Sequence, residues 1–321
     1  MDCRAGYSDC FLEGFAPAKK LTLLLRSLLA ISSGRKISTD AFDYWYKCEK
    51  LRLEDGQISK EGRYAAMDKT LTPGFMYSPC KLPENMSLTM LERADSFFGG
   101  RFAKINDGAL ILVGDMDEEE VLKILSAYIT EFSVDSAVTP RTSTVYRLSS
   151  GESTFRGTAE SGLVDVVFTC PLQIAAENRA AAFVAAEVLK AELSRRFSSR
   201  GIWVDVEPYF TMAPKERLDL RVVAGDSSLK DEIISCVRDL SAAVMAPEDF
   251  NPSKDFATSR YTAVTSYPPY WMSTICSRLA DGKDFNTKFA DKFAGVTPEK
   301  VRSIMELLYN NGKAEYIVTE Q

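Results

Sequence analysis

The chain has 321 residues, 45% hydrophobic and 26% charged, with a net charge of −6 and a pI near 5.1. That is the composition of an ordinary globular protein, long enough for two domains and for a core that needs no disulfide or metal. Its acidity excludes a general affinity for nucleic-acid backbones. The complete absence of histidine excludes a Ser-His-Asp triad, a Cys-His dyad and histidine-bound zinc.

No stretch approaches the roughly 18 apolar residues of a membrane span. The nearest, Leu21 to Ile31, is interrupted by Arg26. Met1-Asp2-Cys3-Arg4 opens no apolar core of a signal peptide, which leaves the compartment open. Seven cysteines (Cys3, Cys10, Cys48, Cys80, Cys170, Cys236 and Cys276) form no C-x-x-C. They read as free thiols, with one disulfide left open.

In chain order, Tyr7–Phe15 reads as a strand, followed by a helix carrying Leu21, Leu24, Leu25 and Leu28. Further helix is expected over Thr39–Leu53. Ser87 caps a helix reaching about Arg101, and Ala109–Val113 is a closing strand. After Gly114-Asp115-Met116-Asp117 comes a helix to about Phe132. Asp117 caps it, and Glu118 to Glu120 suit the positive end of the helix dipole, so the acidic cluster reads as a helix start rather than a cation site. Ser133–Thr144 is a linker.

Gly162–Cys170 is a β-branched strand, and Ala175–Ser198 a helix with Ala182, Ala186, Leu189, Leu193 and Phe197 at helical spacing. Ile202–Thr211 and Arg217–Val223 form a hairpin around Ala213-Pro214-Lys215-Glu216. Ser227 and Ser228 cap a helix with a buried stripe of Leu229, Ile233, Val237, Leu240 and Val244, ended by Pro247. Tyr267-Pro268-Pro269-Tyr270-Trp271 could stack on a ligand, but reads first as a rigid turn that anchors a helix on the core. Thr297 and Pro298 open the last helix, with Val301, Ile304 and Leu308 inward, and Asn310-Asn311-Gly312 stops it before the strand Ala314–Thr319.

The order repeats, so one unit is met twice, the first copy lacking its opening strand and long helix. The expectation is an α+β protein of two-layer α/β sandwich domains, the first incomplete. Residues 1–135 would hold the later part of one domain, 136–150 a linker and 151–321 a complete second domain.

Chemistry-bearing motifs are scarce. There is no G-x-G-x-x-G, no phosphate loop and no G-x-S-x-G elbow. Ser33-Gly34-Arg35-Lys36 and Ser78-Pro79-Cys80-Lys81 match S-x-x-K only in loops, which argues against a Ser-Lys hydrolase.

Several local signatures resemble the insulinase/pitrilysin family of zinc peptidases, inverted zincins carrying H-x-x-E-H. Phe97-Phe98-Gly99-Gly100-Arg101-Phe102 with Leu110-Ile111-Leu112-Val113-Gly114-Asp115-Met116-Asp117 is similar to the family's strand and following helix, and Val296 to Val301 to its late helix start. Arg196-Phe197-Ser198-Ser199-Arg200-Gly201-Ile202-Trp203 resembles the family's R-x-x-x-G-G-x-Y segment, with Arg200 replacing one glycine and Trp203 the tyrosine. The resemblance implies that Arg196 and Trp203 are substrate-binding residues. It also implies that the tyrosine's hydroxyl, a hydrogen-bond donor to a developing oxyanion, is lost.

The family's zinc ligands have no counterpart here. The resemblance therefore implies no catalytic residue, metal site or cofactor in this chain, the zinc belonging to the complete family enzyme. Two functions follow. The chain would be a non-catalytic portion of a zinc metallopeptidase, a peptide-binding chamber wall opposite a zinc-bearing segment or subunit. Alternatively it would be a degenerate homologue that only binds peptides or scaffolds a complex. Neither involves nucleic acid or a membrane span.

Overall fold

The computed structural model describes residues 2–5, 10–32, 38–56, 59–73, 91–96, 109–128, 148–212, 215–284 and 288–320. The chain forms two compact units. One comprises Met1–Arg52, Lys81–Ser143 and Trp271–Cys276, and the other Leu53–Cys80, Thr144–Tyr270 and Ser277–Gln321.

In the first unit, strands β1 (Asp2–Ala5) and β2 (Cys10–Glu13) pair antiparallel. Helix α1 (Leu21–Ser32) buries Leu21 and Leu25, one turn apart, and α2 runs over Thr39–Gly56. Residues 91–96 are helical. Helix α4 (Glu118–Tyr128) starts as expected, its Glu120 amide donating to Asp117 Oδ1 at 2.9 Å. Among the described residues, 109–113 join no strand ladder, against the closing strand expected there. The expected cap at Ser87 lies outside the described residues.

The second unit is built on a five-stranded sheet in the order β3-β7-β4-β6-β5. Its strands are β3 (Glu152–Ala159), β4 (Leu163–Pro171), β5 (Val204–Thr211), β6 (Arg217–Ala224) and β7 (Lys313–Glu320). The β3–β7 pairing is parallel, and the other three in this sheet are antiparallel. β4 lies at the centre and alternates between two covered faces. Val164, Val166, Phe168 and Cys170 join Leu218, Leu220, Val222 and Ala224 against the helices. Those helices are α5 (Ala176–Phe197), α6 (Lys230–Ala242), α7 (Pro247–Val264), α9 (Phe289–Ala294) and α10 (Pro298–Tyr309), while α8 (Pro268–Asp281) falls partly in each unit and none of its described residues joins this core. The small buried residues Ala181, Ala182, Ala185 and Ala186 let α5 lie close to its neighbours.

The opposite face is covered by α3 (Lys60–Leu71), whose Met67 and Leu71 pack on Val167, Ala314, Tyr316 and Val318. Neither α3 nor β3 shows in the sequence patterning. α3 mixes charge and apolar residues without a clean stripe, and β3 alternates half-buried with exposed positions.

Elsewhere the differences are local. Asp226, not a serine, organises the start of α6, its Oδ1 accepting from the Ser228 amide at 2.8 Å and hydroxyl at 2.7 Å. α6 ends at Ala242, so Val244 is 87% exposed, and Pro247 opens α7 rather than ending α6. Of the aromatic stretch, Pro268 to Trp271 form the first turn of α8, the Tyr261 and Tyr270 hydroxyls hydrogen-bond at 2.5 Å, and Tyr267 and Trp271 are exposed. Thr297 caps α10 through Lys300 N. The turn at 213–214 lies outside the described residues.

Two helices of the first half have counterparts in the second at the same spacing. α2 begins at Thr39 and α7 at Pro247; α3 begins at Lys60 and α8 at Pro268, each 208 residues on.

Two substitutions test this packing. Phe168→Ala removes a fully buried ring at the sheet centre and is expected to cost about 3–5 kcal/mol. Gly312→Ala drives a Cβ into the Ser149 carbonyl oxygen, forces the entry to β7 to shift, and should cost roughly 1–3 kcal/mol. Chemical denaturation of each variant measures both.

Candidate functional site

Arg196 lies in the last turn of α5, where a cation suits the helix dipole. Its Nε donates to Glu192 Oε1 at 2.8 Å and its Nη2 to Asp239 Oδ2 at 3.1 Å. Burial works against its charge, but these two carboxylates outweigh burial and hold its pKa above the ordinary arginine value. Burial likewise opposes ionisation of Glu192, and the bonds from Arg196 and Arg195 bring it below the usual carboxylate range. Arg196 is thus a bridge between α5 and α6, with 30% of its side chain exposed.

Arg200 follows in a short turn, Ser198–Arg200. It makes two hydrogen bonds to Glu232, at 2.9 and 2.6 Å, and its guanidinium sits 4.8 Å from the Phe197 ring centroid. The residue standing where the resembled segment has glycine therefore ties the end of α5 to the start of α6.

Trp203 stands just before β5 and is 56% exposed. Its carbonyl accepts from the Gly225 amide at 3.1 Å, and its indole lies on Gly225. A Cβ at Gly225 would collide with the indole Nε1, so a side chain there would displace the ring. Among the described residues no hydrogen bond or ring contact joins Arg196 to Trp203. The two sit on one helix-to-hairpin connection, the arginine engaged in ion pairs and the tryptophan presenting an apolar face to solvent.

The residues do not fit a zinc site. There is no histidine. Among the described residues no group of three or more His, Cys, Asp or Glu side chains could hold a metal ion. The buried Cys170 and Cys236 thiols are each pushed up to about 12 by desolvation, which disfavours the thiolate a metal needs.

A second constellation, between α3 and the sheet, escaped sequence reasoning. Asp165, fully buried on β4, accepts from Arg63 Nε at 2.9 Å and Arg221 Nε at 2.9 Å. Asp219, fully buried on β6, accepts from Thr169 at 2.6 Å and Tyr64 at 2.7 Å, and Arg217 Nη2 lies 3.0 Å away. Arg217 also pairs with Asp68 of α3. At the rim, Lys60 donates to Glu207 at 2.6 Å and Lys190 to Asp205 at 3.0 Å, while the Tyr64 and Tyr209 rings meet at 5.2 Å. Desolvation pushes the Asp219 carboxyl up, against the pull of Arg217. The same burial, with Asp219 beside it, pushes the Tyr64 hydroxyl up. The alternation Arg217, Asp219, Arg221 reads from sequence as a solvated strand face; the one hint was Asp165 inside the apolar run of β4.

No family model matches the sequence, and no curated protein matches it. Solved structures do. A mutant of the ferredoxin protease FusC, in complex with Arabidopsis ferredoxin, superposes with a TM-score of 0.64 at 16% identity, over 95% of this chain and 35% of that one. The chain thus spans about a third of FusC. A protease from Helicobacter pylori gives 0.66 at 13% identity, over 92% of this chain and 76% of that one. An inactive M16 peptidase domain from Pseudomonas fluorescens gives 0.63 at 13% identity, over 95% and 76%. With its helices laid over a mixed five-stranded sheet, the chain has the α+β fold of the M16 peptidases, as the insulinase/pitrilysin-like signatures in its sequence led one to expect.

Proposed function

We propose that the chain is a non-catalytic portion of an M16-type zinc peptidase. It forms the peptide-binding wall of a chamber whose zinc is carried by another segment or chain. One observation carries the reading: the peptidase fold, shared with an inactive M16 domain, occurs in a sequence without a single histidine. Hydrolysis at zinc needs ligands and a general base placed together, and this chain supplies neither. What it offers is surface.

Within that surface Trp203 is the anchor. An exposed indole at the foot of the β5–β6 hairpin offers large apolar area to a peptide. Arg196 supports it by holding α5 to α6 and, being partly exposed, offers a peptide carboxylate a secondary contact. Trp203 also favours the second reading, a homologue that only binds peptides or scaffolds a complex, because the oxyanion donor of active relatives is absent. Among the described residues no helix is long and apolar enough to cross a membrane.

The chain on its own should bind no stoichiometric zinc and cleave no peptide. Elemental analysis giving about one zinc per chain, after dialysis against trace metal, would overturn the assignment. Trp203→Ala should weaken binding of a fluorescent extended peptide by about tenfold, or 1.4 kcal/mol, without moving the thermal unfolding midpoint. Unchanged peptide affinity by fluorescence anisotropy would remove Trp203 from the site.

A further inference from the structure

The α3–sheet contact is unusual in what it buries. Asp165, Asp219, Arg217 and Arg221 are each at most 3% exposed, and Arg63 only 5%. Five cations (Lys60, Arg63, Lys190, Arg217, Arg221) meet five carboxylates (Asp68, Asp165, Asp205, Asp219, Glu207) at this contact and its edge. Buried ionic contacts add little net stability over apolar packing, because desolvation offsets the attraction; their best-attested use is to fix one arrangement against others.

The repeat shows which arrangement is at stake. α8 is the counterpart of α3 at an offset of 208 residues. The apolar positions Met67 and Leu71 recur as Ile275 and Leu279. The charged and polar positions do not: Lys60, Arg63, Tyr64 and Asp68 correspond to Pro268, Trp271, Met272 and Cys276. Trp271–Cys276, the stretch holding three of these substitutes, groups with the first unit, whereas α3, from the early part of the sequence, groups with the second.

We propose that the charged seat is a pairing code that admits α3 to this sheet and rejects its repeat counterpart α8. The apolar residues of the contact are matched by apolar residues in α8, Ile275 and Leu279, which are exposed there, so apolar character alone cannot discriminate. The polar half can. Arg63 completes the Asp165 pair, Tyr64 supplies the hydroxyl to Asp219, and Asp68 balances Arg217. α8 in the same place would remove all three partners, leaving Asp165 to Arg221 and Asp219 to Thr169 and Arg217, with buried hydrogen-bonding capacity unfilled. The code closes this face to any apolar helix or peptide. It is independent of the peptidase assignment, resting only on the seat and the repeat.

The test grafts the α8 residues into α3, as Arg63→Trp with Tyr64→Met and Asp68→Cys in the full chain, and follows amide hydrogen exchange. Exchange across residues 60–71 should accelerate by about tenfold or more, the scale of losing hydrogen bonds to buried charged groups, while β4, β6 and α5 keep their protection. Wild-type protection across 60–71 would overturn the proposal. If protection is instead lost throughout the unit, the half-exposed rim pair decides. Lys60→Glu and Glu207→Lys should each speed exchange of α3 by about fivefold, as partly exposed ion pairs do, and the double reversal should restore it. Strictly additive losses in the double variant would overturn the code.

Discussion

The second unit depends on a sheet that is covered on both faces by different physics. Its helix-facing side is apolar: Phe168, Leu220, Leu189 and Leu308 exclude water by shape and area. Its other side is ionic at β4 and β6, where Asp165 and Asp219 stay buried because Arg63, Arg221, Arg217, Tyr64 and Thr169 surround them. β4 belongs to both. A residue step of one along this strand exchanges an apolar contact for a charge pair, so its register cannot slip without cost on two faces at once.

This arrangement also explains what the sequence disclosed and what it concealed. The strand at Gly162–Cys170, the hairpin, the capped last helix and the closing strand were legible, because their periodicity or caps are local. α3 was not, since Lys60, Arg63 and Asp68 look like a solvated helix face until Asp165 and Arg217 are placed opposite them. Val244 was assigned to a buried stripe by spacing, but the helix stops two residues earlier. The candidate binding residues were found only through resemblance. Nothing in the spacing of Arg196 and Trp203 foretells that one is tied to Glu192 and Asp239 while the other lies on Gly225.

The fold is shared with FusC, the Helicobacter protease and the inactive Pseudomonas domain, and a shared fold does not fix the site it carries. In this chain the connection between α5 and β5 is filled rather than emptied where it departs from the resembled segment. Arg200, in place of a glycine, gains Glu232 and the Phe197 ring; Trp203, in place of a tyrosine, rests on a glycine where a side chain would displace it. Each replacement is accommodated by its neighbours, as the proposal of a surface kept for contact without chemistry requires.

The most direct measurement is the intact mass of the native polypeptide and of whatever copurifies with it in stoichiometric amount. The account predicts an H-x-x-E-H sequence either on the same polypeptide or on a tightly held partner, with zinc in the assembly. A native protein consisting of this chain alone, with no such sequence in any stoichiometric partner, would contradict it.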